Sequence, residues 1–147
     1  MIRPATTEDI PQLVDIWLRA SLLAHDFIPA GFWRDRAEDM ASRYLPGAET
    51  YVLEAAGRAV GFAALNDDHL EALFIDPELQ SFGHGTHLMA HAMSKRERIT
   101  LCVYSRNVHA VSFYRRLGFR VLEERTEPLS GEQETLMVWS RTPGEAG

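Results

Sequence analysis

A chain of 147 residues, 46% hydrophobic and 24% charged, is long enough for one domain around a single buried core. Fifteen basic against twenty-one acidic residues leave a net charge of −6, which disfavours nucleic acid as a ligand and mildly suits a cationic partner such as an amine. A single cysteine excludes an internal disulfide and gives no metal-ligand pattern; no apolar signal region or membrane-length run occurs, so the expectation is a cytoplasmic protein with no membrane partner and no metal.

Residues 2–4 read as a short strand. Thr6 or Thr7 then caps a helix with Glu8 and Asp9 in its first turn and Ile10, Leu13, Val14, Trp17 and Leu18 on its apolar face. A connector over 21–31 leads to a second helix over 32–44, which Pro46-Gly47 ends. Residues 50–54 and 59–65 form a hairpin about Ala56-Gly57-Arg58, and 69–76 form the next strand. A glycine-rich turn, Gln-Ser-Phe-Gly-His-Gly-Thr over 80–86, opens an amphipathic helix over 86–98. Residues 99–104 read as a buried strand with Cys102 as a small core residue. Asn107 caps a helix whose apolar face carries Ala110, Phe113, Tyr114 and Leu117, and Gly118 closes it with Phe119 as the apolar contact beyond. A hairpin of 120–125 and 134–139 ends one domain over 1–141, and 142–147 form a frayed tail.

The glycine turn carries the first chemical signal. A turn that leaves a strand and opens a helix aims unpaired amides and the positive end of the helix dipole at one point, and Gly83 and Gly85 let an anion approach without meeting a Cβ. Alone it is a weak signal. Some twenty residues on stands Asn-x-x-Ala-x-x-Phe-Tyr-x-x-Leu-Gly-Phe, from Asn107 to Phe119. The pair, Gln-x-x-Gly-x-Gly followed by that second motif, resembles the GNAT superfamily of acyl-CoA-dependent N-acyltransferases. The element order β-α-α-β-β-β-α-β-α-β-β is similar to that family's mixed α/β fold over nearly the whole chain.

The resemblance implies an enzyme that transfers an acetyl group from acetyl-CoA to a primary amine by direct aminolysis, acting as a monomer or homodimer. Leu73, Phe74 and Ile75 would offer backbone to the pantetheine arm, with a bulge in this strand splaying it from its neighbour. Gln80 opens the cradle, and Phe82, Gly83, His84, Gly85, Thr86 and His87 would supply amides to the pyrophosphate. Asn107 and Phe113 would also contact the cofactor. The turn departs from the family at two places, with Phe82 where a basic residue is common and His84 where an aliphatic one is. Tyr114 holds the family's general-acid position.

Glu71 is the candidate base, with partial burial raising its pKa, and His69 shares its face by the two-residue strand period. The face is equally consistent with a solvated strand surface. His25, Asp26, Phe27 and Trp33 offer a ring, a carboxylate and aromatics that would hold a cationic acceptor, or else anchor the connector on the core. A non-catalytic acyl-CoA-binding module is the alternative function. A nucleotide-binding protein would need a P-loop Lys-Ser/Thr or a dinucleotide fingerprint, and the chain has neither.

Overall fold

In a computed structural model, which describes residues 1–141, seven strands form one sheet in the order β1-β2-β3-β4-β5-β7-β6. The strands are β1 (Ile2–Pro4), β2 (Glu49–Ala55), β3 (Arg58–Asn66), β4 (His69–Ile75), β5 (Arg98–Tyr104), β6 (Arg120–Thr126) and β7 (Gln133–Ser140). Every neighbouring pair is antiparallel except β4 and β5. A parallel pair needs a crossover, and α4 (His84–Ser94) supplies it. The β2–β3 turn places Ala56 at φ 53° and Gly57 at φ 76°, the two left-handed residues that match the twist of a two-residue hairpin.

Helices cover both faces. Leu13, Ile16 and Trp17 of α1 (Ile10–Ala24) and Trp33 of α2 (Ala30–Asp39) pack on Val52, Phe62 and Ala64. On the other face Leu88, Met89 and Ala92 of α4 pack on Leu65, Ile99, Leu101 and Met137, with α5 (Val108–Arg116) completing that layer. β3 lies between the two layers, so its residues from Ala59 to Leu65 are all buried and its sequence is a continuous apolar run.

Several boundaries differ from the sequence expectation. α1 continues through Ala24, since Leu22 extends its apolar stripe, and the His25 amide closes its last turn on Ser21 O at 2.9 Å. The connector therefore shrinks to residues 25–29. The second helix begins at Ala30, widens into a π-helical segment over Met40–Tyr44 and ends in a short turn, α3 (Leu45–Gly47). α4 starts at His84, two residues early, because Gly83 at φ 81° completes the reversal and leaves the next residue free to be helical. It stops at Ser94, and Arg98 joins β5. The expected tail over 142–147 lies outside the described residues.

Two irregularities in β4 shape the middle of the sheet. Ala64 pairs with Ala72 but Leu65 pairs with Leu70, so Glu71 is an extra residue, a β-bulge. The bulge turns the alternation over: Leu70 faces the α4–α5 layer, and Ala72 faces the α1–α2 layer. Beyond it the ladder to β5 ends, with pairs only at His69↔Thr100 and Leu70↔Leu101. β5 meanwhile stays paired with β7 along its whole length.

Candidate active site

The parting of β4 and β5 opens a cleft of about 1030 Å³. Leu73, Phe74 and Ile75 line one side and residues 101–104 another. On its β3 side the backbone of this stretch of β4 is paired, Leu73 with Ala63, Phe74 with Phe62 and Ile75 with Gly61. Its opposite edge has lost β5, so its polar groups there point into the cleft without a strand partner. Gln80, Gly83, His84, Gly85 and Thr86 join the lining from the turn and the first turn of α4, and Asn107, Phe113 and Tyr114 join it from α5. His25, Asp26 and Trp33 arrive from the corner between α1 and α2. Phe82, His87, Phe27 and His69 do not line it.

At the cradle, His84, Gly85 and Thr86 are the first three residues of α4, whose amides precede the first intrahelical donor. That donor is His87, whose N–H goes to Gly83 O at 3.1 Å, so its amide is engaged in the helix and is not free for an anion. The left-handed residues of the turn are Ser81 at φ 73° and Gly83 at φ 81°. Gly85 is helical and small for another reason. A Cβ there would stand 3.2 Å from Phe113 Cζ, so α4 and α5 meet at this contact. Phe113 accordingly spends part of its ring on Gly85. Upstream, buried Asp76 accepts from Arg19 at 3.1 and 2.9 Å, from Arg58 at 3.3 Å and from the Glu78 amide at 3.0 Å. The Arg19 guanidinium holds this carboxyl below the usual range. The knot ties α1 and the β2–β3 turn to the start of the cradle loop.

Asn107 Oδ1 accepts from the Ala110 amide at 3.2 Å, which fixes the orientation of its amide group. Its Nδ2 then donates to His25 Nε2 at 3.2 Å, placing the neutral imidazole's hydrogen on Nδ1. Asn107 is thus occupied in joining α5 to the α1–α2 corner. His25 is 7% exposed, stacked on Trp33 at 5.1 Å and edge-on to Tyr104 at 5.0 Å and Phe27 at 5.8 Å. Burial pushes its pKa down to about 4. It is neutral at physiological pH and serves as packing, with Nδ1 and the neighbouring Trp33 Nε1 lacking hydrogen-bond partners among the described residues. Phe27 belongs to this aromatic cluster and anchors the corner.

The family model for the acetyltransferase (GNAT) domain matches residues 23–129, which include the whole cleft-forming β4–α5 unit. The chain belongs to the GNAT acetyltransferase family. It is 38% identical to the peptidyl-lysine N-acetyltransferase YjaB of Escherichia coli (strain K12) over 121 residues, 82% of each chain. The peptidyl-lysine N-acetyltransferase YiaC of the same organism is 32% identical over 124 residues, covering 84% of this chain and 85% of YiaC. The solution structure of apo YjaB from Escherichia coli superposes with a TM-score of 0.84, at 32% identity over 95% of this chain and 96% of that one. The fold is also shared, at TM-score 0.71 and 20% identity over 97% and 94% of the two chains, with yncA of Salmonella typhimurium, solved with its cofactor acetyl-CoA.

In this GNAT acetyltransferase the groups suited to proton transfer sit around the fork of β4 and β5. Tyr114 stands edge-on to Phe113 at 5.2 Å and Phe119 at 5.6 Å. Its hydroxyl is desolvated, which holds it well above the usual tyrosine range and keeps it protonated. Glu71 lines the cleft, but it is exposed and lacks the partial burial expected of a tuned base. The bulge also breaks the period that was to align it with His69, whose Nδ1 instead contacts Thr100 Oγ1 at 2.8 Å. Sequence reasoning missed the β5–β7 wall. Cys102 and Glu134 line the cleft, Arg125 donates to Glu134 at 2.9 Å and to Cys102 Sγ at 3.2 Å, and burial pushes the thiol pKa up. Cys102 reaches the cleft because α1 packs on β3 and β4 and leaves this face of β5 open. Only the alternation Ile99, Leu101, Val103 in the sequence hints that Cys102 faces the other way.

Proposed function

We propose that this acetyltransferase moves an acetyl group from acetyl-CoA to the ε-amine of a lysine in a protein, by direct aminolysis of the thioester. The observation that carries the reading is the unpaired edge of β4 over Leu73–Ile75, which opens onto the same cleft as Tyr114 and the first-turn amides of α4. The residues fit the cosubstrate. The amides of His84, Gly85 and Thr86 suit its diphosphate, and the free edge of β4 suits the amide groups of its pantetheine arm. The two peptidyl-lysine relatives support a lysine acceptor over a small amine. The carboxylates of Asp26 and Glu71 line the cleft and attract an ammonium group, whereas Glu134 is paired with Arg125.

The bound thioester supplies an activated carbonyl. The attacking amine must lose a proton, which Glu71 is placed to take at the cleft, directly or through water. A backbone N–H on the free edge of β4 donates to the developing oxyanion. Tyr114, held in its protonated form, gives its proton to the departing thiolate.

The test is thiol release from acetyl-CoA against lysine peptides, N-terminal amines, polyamines and amino-sugars, run with Tyr114→Phe alongside. Lysine peptides should turn over best. The variant should keep its acetyl-CoA affinity and lose kcat by about 10²-fold or more, since a general acid acts in the transition state alone. Turnover confined to polyamines or amino-sugars would move the acceptor class. A Tyr114→Phe enzyme with full kcat would remove the tyrosine from the chemistry.

A further inference from the structure

Phe82 is 72% exposed, the most exposed aromatic side chain among the described residues, whereas most of the others build the two cores and the His25 cluster. Its position is held by backbone geometry and not by packing. It lies between Ser81 at φ 73° and Gly83 at φ 81°, and a left-handed serine is a strained residue that needs a reason. Ser81, Gly83 and His84 line the cleft on either side of it while Phe82 itself does not, so this residue lies just outside the anion cradle. The nearest ring among the described residues is His84, a tilted neighbour 6.1 Å away at 41°, and it leaves Phe82 72% exposed. The structure therefore exposes a flat apolar surface two residues before His84, the first of the cradle amides.

We propose that Phe82 is a binding residue for the adenine of the cosubstrate, its ring stacking on the base once the cradle amides hold the diphosphate. This rests on the acetyl-CoA reading above and adds a role for a side chain where a charged contact is absent. The chemistry matches at each point. Adenine is a planar heterocycle joined through ribose to the diphosphate, so it leaves the cradle on the solvent side, where Phe82 is exposed. Base–aromatic stacking needs only a free π-face and works in partial contact with water. A phenyl ring at this position exchanges ion pairing for stacking, so affinity gained here should depend little on salt.

Three ligands separate the contributions. CoA carries adenine and a 3′-phosphate, 3′-dephospho-CoA keeps the adenine without that 3′-phosphate, and 4′-phosphopantetheine lacks the adenosine together with one phosphate of the diphosphate. By calorimetry Phe82→Ala should weaken CoA and 3′-dephospho-CoA equally, by about tenfold, and leave 4′-phosphopantetheine unchanged. Phe82→Trp should retain CoA affinity, and its added indole fluorescence should be quenched by CoA and 3′-dephospho-CoA but not by 4′-phosphopantetheine. Equal loss on all three ligands would overturn the proposal, because it would mean that the substitution disturbs the cradle. No loss on any would overturn it as well and leave Phe82 a bystander. Those failures leave the acetyl-CoA reading intact. A wild-type chain that binds neither CoA nor 3′-dephospho-CoA would sink both.

Discussion

The buried neutral imidazole of His25 makes acid sensitivity a measurable consequence of the fold. Its ring is enclosed by Trp33, Tyr104 and Phe27, and its Nε2 accepts from Asn107. The charges near this cluster are Asp26, which is exposed, Glu127 behind the Tyr104 hydroxyl at 3.2 Å, and Arg106 over the Phe27 ring at 5.5 Å. In the unfolded chain His25 takes up a proton near its ordinary value of 6.5, whereas in the folded chain it does so only at about 4. Between those values the unfolded state binds more protons, so stability falls as pH falls. The contribution is intact above pH 6.5, is reduced by about 2 kcal/mol at pH 5 and by about 3 kcal/mol once the folded group titrates, at about 1.4 kcal/mol per pH unit. For a chain of this length that is a Tm loss of about 4–8 °C between pH 7.5 and pH 5. The carboxyls held low by partners, Asp9, Asp76, Glu49 and Glu127, also release stability in acid, so the comparison must be differential. His25→Gln removes the titrating group and keeps an amide facing Asn107. Thermal unfolding followed from pH 8 to 4.5 should show the variant less stable at pH 7.5 and the gap closing by about 2 kcal/mol at pH 5. Parallel Tm curves for the two proteins would refute the argument.

Two further outcomes follow from the geometry of the cleft. Gly85→Val should weaken acetyl-CoA binding about tenfold or more in a folded protein, because its side chain meets the Phe113 ring at 3.2 Å beside the cradle amides; unchanged affinity by calorimetry would count against the cradle. Glu71→Gln should lower kcat/KM on a lysine peptide most near neutral pH and recover as rising pH leaves more of the amine neutral, and an unaltered pH profile would assign Glu71 to the cleft wall alone.

The two motifs were legible because each combines a backbone requirement with a side-chain period. Gly83 does stop a turn at φ 81°, and Asn107 does cap α5. What the sequence hid were relations between distant residues. Gly85 reads like Gly83, yet its small size answers to Phe113, twenty-eight positions later and on another helix. Asn107 reads as a cofactor contact, but its spare N–H is committed to His25, on the far side of the chain. Asp76 before Pro77 signals a turn, and only the fold brings Arg19 and Arg58 to it. The α1–α2 corner was misjudged because helix propensity carried α1 past Ser21, a residue that suits a cap as readily as a helix.

The site grows from a bulge that the family resemblance implied but whose position the sequence did not reveal. Residues 69–76 read as a strand in which Leu70, Ala72 and Phe74 share a face, and nothing in the run itself marks Glu71 as the inserted residue. The insertion exists only relative to β3, where Leu65 skips Glu71 to pair with Leu70. A bulge bends and further twists its own strand. β5 cannot follow that bend, because it is paired with β7 along its full length, so β4 and β5 part after two pairs. Parting leaves the N–H and C=O groups of Leu73–Ile75 with one edge unmatched, a costly state inside a protein unless a strand-like ligand or water takes them up. The same extra residue carries the carboxylate at the fork. One inserted position thus creates the opening, the hydrogen-bonding edge that the pantetheine arm would use, and the placement of the group proposed to receive the acceptor's proton.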